Sequence, residues 1–270
     1  MPLTLIRPPR AFGSLDVAEL WAYRELLYFL VWRDLKVRYK QTVVGMAWAV
    51  IQPFGTMVVF TLFFGQLARI PSEGLPYPIF FYSALVPWMY FAAAVQSATN
   101  VMVEHQRVIT KVYFPRVLLP VAAVLSGLVD FAIAGTVLVG MALYYGIVPG
   151  TAALTLPLFV LLTMLTALGA GLWLSALNVM YRDVRYVLPF LIQFWMFVSP
   201  VAYPSSLVPE RWRWLYGLNP MAGVIEAFRG VFNGAPAPAV VGASVVAMLV
   251  VLLGGLVFFQ SVEGTLVDVA

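Results

Sequence analysis

The pattern of polar and apolar positions changes abruptly near residue 42. Five of the eight positions from Arg33 to Lys40 are charged, whereas no charged residue occurs between Val43 and Arg69. A basic segment followed directly by a long apolar stretch is typical of a transmembrane helix whose first end faces the cytoplasm. We therefore expect the first membrane span to begin here and to remain as an uncleaved anchor.

Membrane spans need about 20 mostly apolar residues, and six stretches of the chain meet or approach this length. They are residues 43–64, 79–103, 117–145, 154–179, 187–203 and 240–259, of which the fifth is short and bounded by proline. The pattern predicts an all-α integral membrane protein. Its six-span domain covers residues 43–264, preceded by a cytoplasmic segment 1–42 and followed by a cytoplasmic tail 265–270.

Residues 15–40 predict a helix that lies in the membrane interface. Its charge is too high for a span, but one face is apolar because five residues recur at helical spacing: Leu20, Tyr23, Leu27, Leu30 and Val31. Asp34 and Arg38 are four residues apart, with the acid first, which favours an ion pair on the helix surface. An ordinary membrane-surface helix and a platform for a cytoplasmic partner both fit this pattern.

The connection between the fifth and sixth spans, residues 204–238, does not read as a simple loop. Glu210–Tyr216 is aromatic and amphipathic, Asn219–Pro220 interrupts it, and a second short helix is predicted over Met221–Val231. Two short re-entrant helices that dip into the outer leaflet explain this pattern, since interrupted helices in membranes need cover from protein or water. A helical hairpin on the outer surface is the alternative.

Orientation follows from the positions of the basic residues. If the N-terminus is cytoplasmic, twelve of the 16 Lys and Arg residues lie in cytoplasmic segments and four lie outside. Positive residues accumulate on the cytoplasmic side of membrane proteins, so the sequence predicts six spans with both termini in the cytoplasm.

Composition agrees with a membrane location and excludes several functions. The chain is 62% hydrophobic and 10% charged, whereas soluble domains are about 25% charged. It contains no cysteine and only His105 as a histidine, so no Cys or His metal centre is expected. The formal charge of +4 comes from basic residues beside the predicted spans, and we expect no nucleic-acid partner.

The residues that could carry chemistry are few. The chain has neither a G-x-x-x-x-G-K-[ST] phosphate loop nor a G-x-S-x-G nucleophile motif, so we expect no ATP site, cofactor or metal in this chain. Its carboxylates are scattered singly, which disfavours a membrane enzyme acting on polyprenyl-linked sugars. That alternative would rely on Asp130, Asp183 or Glu226 for metal binding or acid–base chemistry.

Asp130 is the one carboxylate predicted deep in a span, and an ionisable residue there suggests function. The sequence shows no nearby counter-charge, so a carboxyl group satisfied by water or a neighbouring helix is the alternative. Aromatic residues of the second and fifth spans could line a path for sugars together with Asp130, although packing and lipid contact explain any one of them equally well. The predicted path contains Tyr82, Trp88, Phe91, Asp130, Phe194 and Trp195.

Four segments, in order, resemble one protein family: WRDLKVRYKQTVVGMAWAVIQP at 32–53, ITKVYFPRVLLP at 109–120, NVMYRDVRYVLPFLIQFWMFVSPVAYP at 178–204, and LNPMAGVIEAFRG at 218–230. They are similar to the type-2 ABC exporter permeases that move polysaccharides such as O-antigen, teichoic acid and capsule. The resemblance covers nearly the whole chain.

The resemblance implies a homodimer in the bacterial inner membrane, bound to two copies of a separate ATPase that holds ATP and magnesium. The cargo would be a lipid-linked polysaccharide, and a type-2 exporter of a lipid or drug is the alternative. The resemblance implies an ATPase-coupling surface of Arg33, Asp34, Lys36, Arg38, Glu104, Arg107, Lys111 and Tyr113. It likewise implies an external gate that includes Glu210, Arg211, Trp212, Asn219 and Glu226.

Overall fold

A computed structural model describes residues 17–40, 45–148, 150–233 and 238–263. All regular secondary structure in these ranges is helical, as the sequence predicts. The predicted cytoplasmic tail 265–270 lies outside the described residues, as do residues 1–16 and 41–42 of the predicted cytoplasmic segment.

Two helices precede the membrane domain, α1 (Val17–Ala22) and α2 (Arg24–Lys40). The predicted apolar face of this segment is confirmed, because Leu30 is buried and Leu27 and Val31 pack against the core. Helix α2 lies along α6 (Leu118–Ser126), the first helix of the third span. The predicted ion pair between Asp34 and Arg38 is wrong, since each of these residues has a different partner.

Five helical segments of the described chain are long and apolar enough to cross a membrane. They are Gly45–Leu67, Tyr77–Glu104, Leu118–Tyr144, Ala152–Met180 and Val240–Val262. The first consists of α3 (Trp48–Phe60) between a 3-10 turn, Gly45–Ala47, and a π-helical segment, Thr61–Leu67. The others contain α4 (Tyr77–Glu104), α6 with α7 (Leu128–Tyr144), α8 (Leu156–Met180) and α12 (Pro238–Glu263). A four-residue helix, α5 (Gln106–Ile109), follows α4.

The fifth predicted span is a shorter helix than expected. Helix α9 covers Val184–Val198, 15 residues, whereas the apolar pattern predicted a span over 187–203. The backbone becomes extended at Ser199, just before Pro200, because a residue preceding proline is disfavoured in the helical conformation. The apolar residues after Val198, including Val201, are buried in a non-helical turn instead.

Helix α4 is the centre of the bundle. It contacts α3, α6, α7, α8 and α9. In its most apolar stretch of 18 residues, 78% of the residues are buried, whereas in the corresponding stretch of the first span only 17% are. Its aromatic side chains fill the spaces between these neighbours: the Phe81 ring lies 5.8 Å from that of Phe60, and the Tyr90 ring lies 5.4 Å from that of Phe131. Edge-to-face contacts of this kind stabilise aromatic clusters beyond the area they bury.

Helices α8 and α12 approach each other closely through glycine. A Cβ atom at Gly169 would lie 2.8 Å from the backbone of Leu252, and one at Gly255 would lie 2.6 Å from the carbonyl oxygen of Gly169. Small residues allow this contact, which replaces hydrophobic association as a source of stability inside a membrane. The Trp173 indole N–H donates to the Val251 carbonyl at 3.1 Å beside it.

Two short helices follow α9, as the sequence predicts. They are α10 (Glu210–Tyr216) and α11 (Pro220–Asn233), and a 3-10 turn at Ser205–Leu207 precedes them. Most of α10 is exposed, whereas residues 220–231 of α11 are buried against α4, α8 and α12.

Candidate functional site

The last turns of α2 carry four of the predicted coupling residues. The Arg33 guanidinium pairs with the neighbouring Asp34 carboxylate at 2.8 Å, and the Lys36 ammonium lies 5.5 Å from the centre of the Trp32 ring. These groups remain partly or fully exposed, so the last turns of α2 present charge at the surface.

The other predicted coupling residues lie in the connection between α4 and α6. Glu104, Arg107 and Lys111 are exposed, and Tyr113 is 80% exposed. Helix α6 continues this connection and packs against α2. Both segments therefore adjoin α6, one packed against it and the other leading into it, and their role in coupling stays a prediction.

Asp130 has the counter-charge that the sequence did not reveal. The Arg38 guanidinium binds its Oδ2 atom, and the Tyr39 hydroxyl donates to its Oδ1 atom. Burial, followed by this hydrogen bond, raises the pKa of Tyr39, which keeps its phenol protonated as a donor. The sequence around Asp130 does not show this basic partner, because Arg38 lies 92 residues earlier in the chain, on a neighbouring helix.

The predicted sugar path is divided between core and surface. Tyr82, Trp88 and Phe91 are buried among the helices around α4, which fits the packing alternative for these three. Trp195 is half-buried, with its ring 4.9 Å from that of Phe91, whereas Phe194 is 59% exposed. Among the aromatic members of the set, Phe194 alone presents most of its side chain to the surroundings.

Asn219 joins the end of α9 to the start of α11. Its amide oxygen accepts from the Trp195 indole at 2.9 Å and from the backbone N–H of Met221 at 3.1 Å, and its amide nitrogen donates to the Ser199 hydroxyl at 2.9 Å. It is therefore the N-cap of α11, with Pro220 in the favourable first position. One predicted gate residue thus contacts one predicted path residue directly.

Glu226 and Arg229 form another ion pair, at 3.9 Å, on the buried side of α11. Arg229 is only 1% exposed and donates to the carbonyls of Tyr203 at 3.1 Å and Val201 at 2.9 Å. Its guanidinium also lies 3.8 Å from the centre of the Phe80 ring, a cation–π contact.

Arg229 was absent from the predicted gate, although its position three residues after Glu226 in an apolar segment was a signal for it. Glu226 accepts from the backbone N–H of Ser205 at 3.2 Å. Together the two side chains bind three backbone groups of the connection after α9.

The remaining predicted gate residues do not join this network. Glu210, Arg211 and Trp212 are exposed on α10, and the Arg211 guanidinium lies 5.8 Å from the centre of the Trp212 ring. No three Asp, Glu, His or Cys residues are grouped as a metal site within the described ranges. Asp130 and Glu226 bind arginine side chains of the chain itself, an arrangement that disfavours the alternative of a metal-dependent membrane enzyme.

The described residues form a bundle of membrane-length apolar helices preceded by a charged, partly exposed helix, as expected of a multi-pass membrane protein. Residues 25–233 match the family described as ABC-2 type transporter, and the chain belongs to this family. The resemblance identified from the four sequence segments is confirmed.

The names of individual relatives are more specific than the description of the family. The chain is 30% identical to the O-antigen export system permease protein RfbA of Myxococcus xanthus, over 80% of this chain and 83% of the relative. It is 27% identical to a protein of the same name from Klebsiella pneumoniae, over 78% and 81%. It is 24% identical to the polysialic acid transport protein KpsM of Escherichia coli, over 73% and 77%.

Proposed function

We propose that this chain is the permease subunit of an ATP-driven exporter that moves a lipid-linked polysaccharide, such as an O-antigen, across the bacterial inner membrane. The observation that carries the proposal is its similarity, over about four fifths of its length, to a permease named for O-antigen export. A second relative is named for the transport of another polysaccharide, polysialic acid.

The energy for export comes from a separate ATPase subunit. The chain has no phosphate loop of its own, and its family is that of ABC-2 type transporters. The charged face of α2 and the exposed connection of residues 104–113 are the surfaces on which we expect two ATPase copies to act, one on each permease subunit.

The working permease is a homodimer of six-span subunits with both termini in the cytoplasm. Helix α9 is the fifth and shortest of the six spans, and its exposed aromatic face, which includes Phe190 and Phe194, supports contact with cargo, lipid or a second copy. The distribution of basic residues supports the orientation. Helices α10 and α11 form a re-entrant gate at the outer face, and the deep burial of α11 supports this role.

The test is reconstitution with the ATPase encoded beside this chain. We expect a stable complex of two permease and two ATPase subunits that hydrolyses ATP and moves a labelled, lipid-linked glycan extracted from the host across proteoliposome membranes. The control is the same complex with the ATPase disabled in its own phosphate loop. Absence of a stable complex contradicts the proposal, whereas transport of a lipid or drug in place of the glycan supports the alternative cargo.

A further inference from the structure

The third span is interrupted at Gly127, where α6 ends and α7 begins. The Tyr90 hydroxyl of α4 donates to the Val124 carbonyl at 3.1 Å, one turn before the interruption. In an uninterrupted helix that carbonyl accepts from the amide four residues later. A Cβ atom at residue 127 would lie 3.1 Å from the Tyr90 ring, so glycine allows Tyr90 to lie directly against this point.

Helix α2 contacts the third span on both sides of the interruption. Before it, the apolar face of α2 around Leu30 packs on α6. After it, Arg38 and Tyr39 occupy the two carboxylate oxygens of Asp130 on α7. Helix α6 is held in the core by its buried residues, so a displacement of the end of α2 that keeps the bond to Asp130 must bend the third span at or after Gly127.

The space needed for such a change exists beside the interruption. A cavity of about 500 Å³ lies between α3, α4 and α7, beside the contacts that α3 makes with both helices, and its walls include Arg38, Tyr39, Tyr90, Gly127 and Asp130. The cavity is partly open, because lining residues such as Trp48 and Gln52 are exposed, so α7 has room to move there without repacking the core of α4. The ion pair at its wall is only partly buried, with side chains 32% and 33% exposed.

We propose that Asp130 is a positioning residue for export: its bond to Arg38, supported by Tyr39, transmits the movement of α2 to the third span at Gly127 and changes the cavity behind α3. The inference rests on the proposed function, because the ATPase partner supplies the movement. Asp130 then acts through α7 and need not touch the cargo.

The first test exchanges the two charges. Arg38→Asp, Asp130→Arg and the double variant are each reconstituted with the ATPase, and ATP hydrolysis and transport of the labelled host glycan are measured together. We expect each single variant to lower the amount of glycan moved per ATP by about tenfold while the complex still forms, and the double variant to recover most of it. If a reversed charge prevents folding, Asp130→Asn and Tyr39→Phe are tested in the same assay.

The second readout follows the cavity itself and needs no cargo. The chain has no cysteine, so Ala49→Cys places a single thiol on the α3 wall of the cavity. We expect its rate of maleimide labelling to change when a non-hydrolysable ATP analogue binds the complex. That change should disappear with Arg38→Asp and return with the double exchange, an outcome that a purely structural ion pair does not produce.

A glycine pair on the same span tests the interruption. Gly127→Ala should press the new methyl group against Tyr90 and lower glycan moved per ATP. Gly135→Ala, on α7 where a Cβ meets nothing within 4 Å, is the matched control and should leave it unchanged.

Normal transport per ATP and normal nucleotide-dependent labelling in both single charge variants, with the complex intact, overturn this inference alone. If the unaltered chain binds no ATPase, the proposed function and this inference fail together.

Discussion

Two ion pairs of this protein, Glu226–Arg229 and Arg38–Asp130, differ in how far the protein encloses them. Glu226 and Arg229 belong to one helix, and Arg229 is completely enclosed by backbone carbonyls and the Phe80 ring. Arg38 and Asp130 belong to different helices, are about one third exposed and border a cavity. An enclosed pair costs several kcal/mol to break, whereas a partly exposed pair can separate and reform at a much smaller cost.

The difference indicates a division of roles. The Glu226–Arg229 pair fixes the shape of the connection after α9, because it binds groups that cannot find other partners inside the protein. The Arg38–Asp130 pair joins two segments that pack separately, so it can carry a displacement between them. Four substitutions can break or sharpen this comparison, and they follow in order of their expected effect on stability.

Arg229→Met should have the largest effect. It leaves Glu226 as an unpaired buried charge and removes the donors to the Val201 and Tyr203 carbonyls, so we expect a loss of about 3–5 kcal/mol in unfolding free energy. The measurement is the thermal midpoint of the detergent-solubilised protein, followed by size exclusion. Arg213→Met is the control, since Arg213 is exposed to 40% on α10, and equal losses in both variants would contradict the enclosed role of Arg229.

Asn219→Ala should follow. It removes the N-cap of α11 and the acceptor of the Trp195 indole, with an expected loss of about 2 kcal/mol. Quenching of tryptophan fluorescence should also change, because the Trp195 indole loses its partner. Asn233→Ala provides the comparison, as Asn233 makes a single exposed contact at 3.4 Å with Glu73; a thermal midpoint no lower than that of this control would rule out the capping role.

Tyr39→Phe should cost about 1.5 kcal/mol, because it removes one donor to a charged carboxylate but leaves Arg38 in place. The pKa of Tyr39 is raised, so the phenol stays protonated through neutral and mildly alkaline pH, and the stability difference should not vary with pH there. Chemical denaturation of unaltered and variant protein between pH 6 and about pH 9 checks this. Tyr28→Phe, at a position 63% exposed on the same helix, should show no difference.

Asp34→Asn should change stability least, by at most about 1 kcal/mol, since its bond to Arg33 joins neighbouring exposed groups. Its predicted effect is on coupling: ATP hydrolysis by the complex should persist while glycan transport falls. ATP hydrolysis and glycan transport are measured in parallel. Glu25→Gln, on the exposed face of α2, is the control. Unchanged transport would remove Asp34 from the coupling surface.

The apolar spans were predictable because composition alone decides which segments enter a membrane, and five of them coincide closely with helices of the structure. The end of α9 was missed although Pro200 was a signal for it, because apolar residues continue to Ala202 beyond the extended residue Ser199. The sequence also did not show which spans are buried in protein. The α4 segment and the first span are both apolar on all sides, so their patterns do not distinguish a neighbouring helix from lipid.

The candidate site likewise depends on contacts that the local sequence pattern does not show. Asp130 was recognisable as an unusual carboxylate, but its partner Arg38 is 92 residues away in the chain, and no local pattern joins them. The N-cap role of Asn219 was within reach, because Asn–Pro before an apolar helical segment is a helix-start signal. The carbonyl partners of Arg229 were not, because they depend on how the turn after α9 folds back on α11.

That turn has a practical consequence for building hybrid permeases. The shape of residues 199–205 is specified by side chains that come more than twenty positions later, at Glu226 and Arg229. A loop grafted from a related permease without its own α11 would arrive without the groups that hold it. Exchanges of this connection between relatives should therefore take residues 199–229 as one unit, and cuts at the exposed α10 should give chains that do not assemble.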